Sequence, residues 1–211
     1  MRSFIAAGAL ALGFFTIAAP ADANVTMVLR QEVADYSTWR KMYDGMQGTQ
    51  RPMEVVKSTV YRSVENPNEV TLVRDFVTGD AAKAYFASYT IRNAIQGGGS
   101  KGSPKVWFTT QAPGASGHDD KVRLFVHHAV ADYAAWRKSY DGFVPKMRQL
   151  GVSGQGVLTM EESQNDVIVY HDFASDAKAK AFLASPALKS AMQGAGVKGE
   201  PQSWITTPAT K

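Results

Sequence analysis

The sequence predicts an α+β protein built from two copies of one βαββαβ unit. Two observations carry this prediction: a long internal repeat, and the same order of strand and helix patterns in both copies. Residues 33–45 (VADYSTWRKMYDG) return as residues 130–142 (VADYAAWRKSYDG), and residues 107–110 return as 204–207 at the same offset. The copies align without a gap over about 86 positions, of which roughly 40% are identical. Such agreement indicates a tandem duplication.

The first half of each unit is predicted to be a strand followed by an amphipathic helix. Segment 25–29 is apolar and β-rich, as a first strand requires. Asp35 is placed to cap the helix that follows, and Tyr36, Trp39 and Tyr43 recur on one face of it at helical spacing. The second copy repeats this pattern with segment 122–126, Asp132, Tyr133, Trp136 and Tyr140.

The second half of each unit is predicted to be a hairpin, a helix and a last strand. In the first copy, segments 55–64 and 70–76 are β-rich and are joined by turn residues 65–68. A helix rich in Ala and Lys follows, and the last strand carries Trp107. In the second copy Pro186 is expected to break this helix, because proline lacks the amide donor and clashes with the preceding turn.

The βαββαβ order is the ferredoxin-like arrangement, whose sheet has helices on one face only. Each copy would expose its other, apolar face, so we expect the two sheets to pack together into one intrachain α/β barrel. The predicted organisation is a first repeat at 24–110, a linker at 111–121 and a second repeat at 122–211. Because the duplication supplies both sheets, we expect a monomer that contains a pseudo-dimer.

The amino terminus and the composition indicate an exported protein. A positive start at Arg2, an apolar run over 4–19 and an Ala-x-Ala site at 21–23 predict a signal peptide over residues 1–23. The apolar run is shorter than the roughly 20 residues that span a bilayer, so the mature chain is expected to be soluble and periplasmic or secreted.

The 211 residues contain no cysteine, which excludes disulfides, thiol catalysis and Cys-ligated metals. A net charge of +4 with interspersed signs gives no reason to expect nucleic acid as a partner.

The segment that begins each first helix points to a family. The sequences DYSTWRKMYD at 35–44 and DYAAWRKSYD at 132–141, each inside a βαββαβ unit of this size, resemble the dimeric α/β-barrel superfamily. The nearest resemblance is to antibiotic-biosynthesis-monooxygenase-type domains, and it covers both repeats. That superfamily contains cofactor-free oxygenases, haem-handling enzymes and isomerases. The resemblance therefore implies a particular fold but is compatible with several activities.

The histidines are the first candidates for chemistry. All four lie in or beside the second copy: His118 in the linker, His127 and His128 near the end of its first strand, and His171 near the end of its third. One hypothesis is that His127 or His128 acts with His171 as a base or as a metal or haem ligand. The alternative, which we favour, is solvent-exposed histidines at the sheet edges, because antiparallel neighbours end at opposite edges and consecutive residues face opposite ways.

The aromatic residues and the strand-end carboxylates give the remaining candidates. Each aromatic helix stripe has two possible roles, packing on the sheet or lining a ligand pocket. Asp172 also has two: it orients a histidine or a substrate hydroxyl, or it serves as a turn partner.

The favoured function is binding of a small apolar or aromatic molecule between sheet and helices. The alternatives are a cofactor-free monooxygenase acting on phenolic or quinol compounds, and a haem-associated protein. The candidate catalytic residues are His171 and Asp172, and the candidate ligand-binding residues are Tyr36, Trp39, Tyr43, Tyr133, Trp136, Tyr140 and Tyr170. No organic cofactor and no metal ion are expected, haem apart.

Overall fold

A computed structural model describes residues 25–50, 53–117 and 122–209. The predicted signal peptide lies outside these residues, as do residues 118–121 of the predicted linker. The first repeat contains, in chain order, β1 (Val25–Glu32), α1 (Tyr36–Gly45), α2 (Gln47–Gln50), β2 (Val55–Ser63), β3 (Glu69–Phe76), α3 (Gly79–Ala87), α4 (Tyr89–Gly97) and β4 (Lys105–Gln111).

The second repeat follows the same order with one longer helix. It contains β5 (Val122–Val130), α5 (Tyr133–Gln149), β6 (Gly154–Met160), β7 (Asp166–Phe173), α6 (Asp176–Leu183), α7 (Pro186–Gly194) and β8 (Val197–Pro208). The predicted caps are in place: the Asp35 side chain accepts from the amide of Thr38, and the Asp132 side chain accepts from that of Ala135. Each satisfies one of the orphan amides that open a helix.

The eight strands form one antiparallel sheet whose order closes on itself. That order is β1-β3-β2-β8-β5-β7-β6-β4, and β4 also pairs with β1. Within each repeat the order is that of a ferredoxin-like unit, so the predicted α+β ferredoxin-like fold is confirmed. The repeats are joined by two short ladders, β2 with β8 and β4 with β6.

Side chains alternate between the two faces of this sheet, which separates the apolar core into three parts. The outer face is the one covered by helices. In the first repeat it carries Met27 and Leu29, packed with Trp39 of α1, and the second repeat has the corresponding cluster around Trp136. The inner face of the closed sheet holds residues of both repeats, including Phe125 and Trp204 with stacked rings 5.2 Å apart.

The second helix of each repeat is divided in two, which the sequence predicted for one copy only. Pro186 is the first residue of α7, and Ser185 caps it, so the break in the second repeat is confirmed. In the first repeat Ser88 adopts an extended conformation and caps α4 by accepting from Ile91. A serine cap therefore ends one helix and starts the next without proline. No helix of the described residues is long and apolar enough to cross a membrane.

Candidate functional site

The second repeat contains a cavity of about 430 Å³ between its sheet and its helices. Its floor is the outer face of β5 and β7, and its walls are α5, α6 and α7. The lining is mainly apolar and aromatic, with polar groups at the floor and at the rim. The floor residues are Val126, His128, Val169 and His171, the wall residues include Trp136, Tyr140, Phe143, Met147, Phe182, Leu188 and Met192, and the rim residues include Ser139, Lys189, Gln193 and Glu200.

Two buried imidazoles form the polar part of the floor. His128 is 6% exposed and His171 is 3% exposed. Neither ring nitrogen of His128 has a hydrogen-bond partner among the described residues, and neither does Nδ1 of His171. Buried polar atoms are nearly always paired in folded proteins. Unpaired ones at the floor of a cavity are therefore available to a ligand.

Both imidazoles are neutral at physiological pH. Burial lowers the pKa of His171 to about 3, and His128 contributes in the same direction. Burial also lowers the pKa of His128 to about 4, and neighbouring His127 acts in the same direction, whereas Asp166 and the Val126 backbone act in the opposite direction. A neutral imidazole has one donor and one acceptor nitrogen, so each ring can bind either a hydroxyl or a carbonyl group.

A tyrosine couples one of these imidazoles to the cavity wall. The hydroxyl of Tyr140 lies 3.3 Å from Nε2 of His171, and either atom can donate depending on the tautomer. Burial raises the pKa of Tyr140 above its ordinary value against the opposing charge of Arg137, so the hydroxyl keeps its proton at neutral pH. The ring of Phe182, 5.2 Å from that of His171, completes the apolar surroundings.

The described residues of the first repeat enclose a much smaller void at the matched place. Its void measures about 40 Å³. Arg74 stands where the second repeat has His171, Tyr85 where it has Phe182, and Met42 where it has Ser139. The larger side chains occupy most of the corresponding space, and the Arg74 guanidinium donates to the Tyr85 hydroxyl. All three larger side chains of the first repeat line its small void.

The structure places the two candidate catalytic residues on opposite faces of the sheet. His171 faces the cavity, whereas Asp172 lies on the inner face and makes two hydrogen bonds with Arg123, of 2.7 and 2.9 Å. Tyr170 also lies on the inner face, with its hydroxyl donating to Gln111. Adjacent residues of a strand face opposite ways, so the idea that Asp172 orients His171 is wrong, and Tyr170 is not among the residues that line the cavity.

The preference for solvent-exposed histidines at the sheet edges is wrong for His128 and His171, two of the three strand histidines to which it applied. His128 and His171 lie at opposite ends of the paired strands, as predicted, since His128 is opposite Val167 and His171 is opposite Leu124. Both nevertheless face the helices, and one cavity reaches from one to the other. His127 faces inward and pairs with Asp166 at 2.8 Å. The fourth histidine, His118, lies outside the described residues.

In each aromatic helix stripe, two of the three predicted ligand-binding residues line a cavity or void and the third does not. Trp136 and Tyr140 line the cavity, whereas Tyr133 packs beside Trp136 at its edge without lining it. In the first repeat Trp39 and Tyr43 line the small void, while Tyr36 lies beneath the guanidinium of Arg62. The two stripes are alike in sequence, so their neighbours decide which of them borders open space.

Several cavity residues could have been found by comparing the copies. Phe182 and Ser139 were not among the predicted site residues, although each is smaller than its counterpart in the first repeat. Met192 and Leu188 gave no such signal, because their counterparts are also apolar. The described residues contain no group of three or more His, Asp and Glu side chains placed to hold a metal ion.

The comparisons with known proteins support the fold. An anthrone oxidase-like protein of known structure has a TM-score of 0.66 at 17% identity, over 90% of this chain and 92% of that chain. A monooxygenase-like protein from Listeria innocua has a TM-score of 0.54 at 11% identity, over 90% of this chain and 96% of its own. A ferredoxin fold protein from Listeria monocytogenes, related to antibiotic biosynthesis monooxygenases, has a TM-score of 0.53 at 10% identity, over 90% and 98%.

No family model and no curated protein matches the chain. At these identities the likeness concerns the fold alone. It extends over both repeats, because each of these structures covers nine-tenths of the chain. The similar structures are ferredoxin-fold proteins of the antibiotic-biosynthesis-monooxygenase type, as the sequence resemblance implied.

Proposed function

We propose that this chain binds one small aromatic molecule carrying a hydroxyl or carbonyl group in the cavity of the second repeat. The observation that carries the proposal is the pair of buried, neutral imidazoles with unpaired nitrogens at the floor of an otherwise apolar cavity. Ligand sites in proteins typically have this composition, with apolar walls and a few convergent polar groups.

The size and the charge of the cavity define the ligand class. About 430 Å³ lies in the range of small-molecule sites, roughly 300–1,000 Å³, and suits two or three fused rings. Burial of His128 and His171 disfavours charge at the floor, so a neutral oxygen substituent fits better than a carboxylate. Charged groups of a ligand are best placed at the rim, where Lys189 and Glu200 are exposed.

A pair of probes tests both the location and the polar contact. Purified protein is titrated with 1-naphthol and with naphthalene while the tryptophan fluorescence is followed. One buried hydrogen bond contributes about 1 kcal/mol, so 1-naphthol should bind several-fold more tightly than naphthalene. His171→Phe should remove most of this preference, because phenylalanine keeps an aromatic ring at this place but has no nitrogen to form a hydrogen bond with the hydroxyl of 1-naphthol.

The matched control is His127→Gln, which removes a histidine from the same strand as His128 but from the inner face. It should leave the preference unchanged. Equal affinities of the two probes for the wild type, or equal effects of the two variants, would refute binding through the cavity floor.

A second function, cofactor-free oxygenation of phenolic or quinol compounds, is favoured by the contact between Tyr140 and His171. Such a reaction needs a group that removes a proton from the bound substrate, which itself supplies electrons to O₂. The low pKa of His171 makes it a weak base in the empty cavity. A substrate anion forming beside it would stabilise the imidazolium and make the proton transfer easier.

Oxygen consumption separates binding from catalysis. Wild-type protein is supplied with a panel of phenols and quinols in an oxygen electrode, beside the Tyr140→Phe and His171→Phe variants. Turnover that falls in both variants supports the oxygenase, whereas binding of 1-naphthol without oxygen uptake across the panel supports the binding protein. Turnover unchanged in His171→Phe would remove this residue from the mechanism.

The remaining parts of the proposal concern the whole protein. We propose that residues 1–23 direct export and are cleaved, that the mature protein is a soluble monomer in the periplasm or outside the cell, and that the duplicated repeats form a fused counterpart of a dimeric α/β barrel. Native mass spectrometry of the exported protein reports cleavage, subunit number and any retained ligand. Titration with haem, followed for a Soret band, tests the haem alternative.

A further inference from the structure

Arg74 is a buried cation in the first repeat, at the place where the second repeat has a neutral histidine. It is 5% exposed. Its Nε donates to the Ser58 hydroxyl at 3.0 Å, and its Nη1 donates to the Tyr85 hydroxyl. The guanidinium lies 4.9 Å from the ring centroid of Tyr85 and 5.4 Å from that of Tyr43. No Asp or Glu within the described ranges forms an ion pair with it.

Such a charge is costly without a counter-ion. The guanidinium of arginine stays protonated in proteins, and burying an unpaired charge is among the most unfavourable changes in folding. Hydroxyl groups and ring faces offset part of this cost. The positive field is felt nearby: burial raises the pKa of Tyr43, but the charge of Arg74, with hydrogen bonds from Ser58 and Gln47, brings it below its ordinary value.

A small void lies beside this cation. It measures about 40 Å³ and is lined by Arg74, Gln31, Tyr43 and apolar side chains such as Leu72 and Ile91. The side chain of Gln31 is buried, and its Oε1 has no hydrogen-bond partner among the described residues. Because the two ends of an amide are interchangeable in such a structure, Gln31 can turn its NH₂ group towards the void and donate there.

We propose that this void binds one small monovalent anion, between chloride and formate in size, held by Arg74 and by the amide of Gln31. The void is about a tenth of the volume of the larger cavity, 40 Å³ against 430 Å³, so a small anion fits it better than sulfate, phosphate or a larger carboxylate. The second repeat has neutral imidazoles at both matched positions, so the stoichiometry is one anion per chain. The inference does not depend on the function proposed for the larger cavity.

Chloride NMR tests the site in solution. The full mature chain is titrated with sodium chloride in sulfate buffer at constant ionic strength, and the ³⁵Cl line width is followed. Saturable broadening that formate competes away is expected. Arg74→Met should abolish it, whereas Arg62→Gln should retain it, because Arg62 also lies over a tyrosine ring but outside the void. Broadening that never saturates, or that survives in Arg74→Met, would overturn the proposal.

Two further measurements use the wild-type protein and do not depend on the folding of a variant. A crystal soaked in sodium bromide should give an anomalous peak within hydrogen-bonding distance of the Arg74 guanidinium, and its absence would overturn the site. Absorbance near 295 nm reports tyrosinate. If Tyr43 itself is ionised at pH 7.5 and stays so when chloride is added, the tyrosinate is the counter-ion and the proposal is wrong.

Discussion

Acid should destabilise this protein through the two histidines at the floor of its larger cavity. A histidine whose pKa is lower in the folded than in the unfolded state contributes stability at neutral pH, and that contribution is lost as the pH falls below the unfolded value. The unfolded value is about 6.5, and burial lowers the folded values to about 4 for His128 and about 3 for His171. The affected window therefore begins near pH 6.5.

The loss of folding stability at pH 5 depends mainly on the protonation of the two histidines in the unfolded state. There each unfolded histidine is almost fully protonated, whereas the folded ones are still mostly neutral because their pKa values are about 4 and about 3. The difference is about 1.5 pH units, or about 2 kcal/mol for each of His128 and His171 and about 4 kcal/mol for the pair. This is a large share of the 5–15 kcal/mol by which typical domains are stable.

Urea unfolding at pH 8, 7, 6 and 5, followed by tryptophan fluorescence, measures this loss. His171→Phe and His128→Gln should each reduce the loss between pH 8 and pH 5 by about 2 kcal/mol, because each removes one proton that only the unfolded state binds. His127→Gln should leave the loss from these two residues in place. A wild-type stability that changes by less than about 1 kcal/mol between pH 8 and pH 5 would refute the reasoning.

Two further predictions concern packing. Exchanging cavity residues for their larger counterparts in the first repeat, as in Ser139→Met with Phe182→Tyr, should weaken 1-naphthol binding about tenfold or more without loss of folding; an unchanged dissociation constant would place the probe elsewhere. Gly156→Ala should destabilise by about 1–3 kcal/mol, since a methyl group there overlaps the Tyr170 ring, whereas Gly142→Ala inside α5 should stabilise by up to about 1 kcal/mol because nothing lies near it. Urea unfolding of both glycine variants checks this contrast, and equal effects would contradict it.

Much of the fold could be predicted because its signals are local. Asp35 and Asp132 cap helices through contacts three residues along the chain. The four-residue spacing of Trp and Tyr, at 39 and 43 in α1 and at 136 and 140 in α5, indicates which face of each helix is buried. The cavity could not be predicted in this way. Its volume depends on what α6 and α7 place above the sheet, and these residues are far from β5 in sequence. The copies share their aromatic stripes, so the stripes alone do not distinguish an open space from a filled one.

The sequence by itself determined the repeat, the order of the elements and the alternation of faces along each strand. The alternation already implied that His171 and Asp172 face opposite ways, although each remained a candidate for the same chemistry. Only the tertiary structure decided that His128 and His171 share one cavity, and that a small void remains beside Arg74 at the matched place. The physical reason is that strand parity is a local property of the backbone, whereas an empty volume exists only where side chains from distant segments fail to fill it.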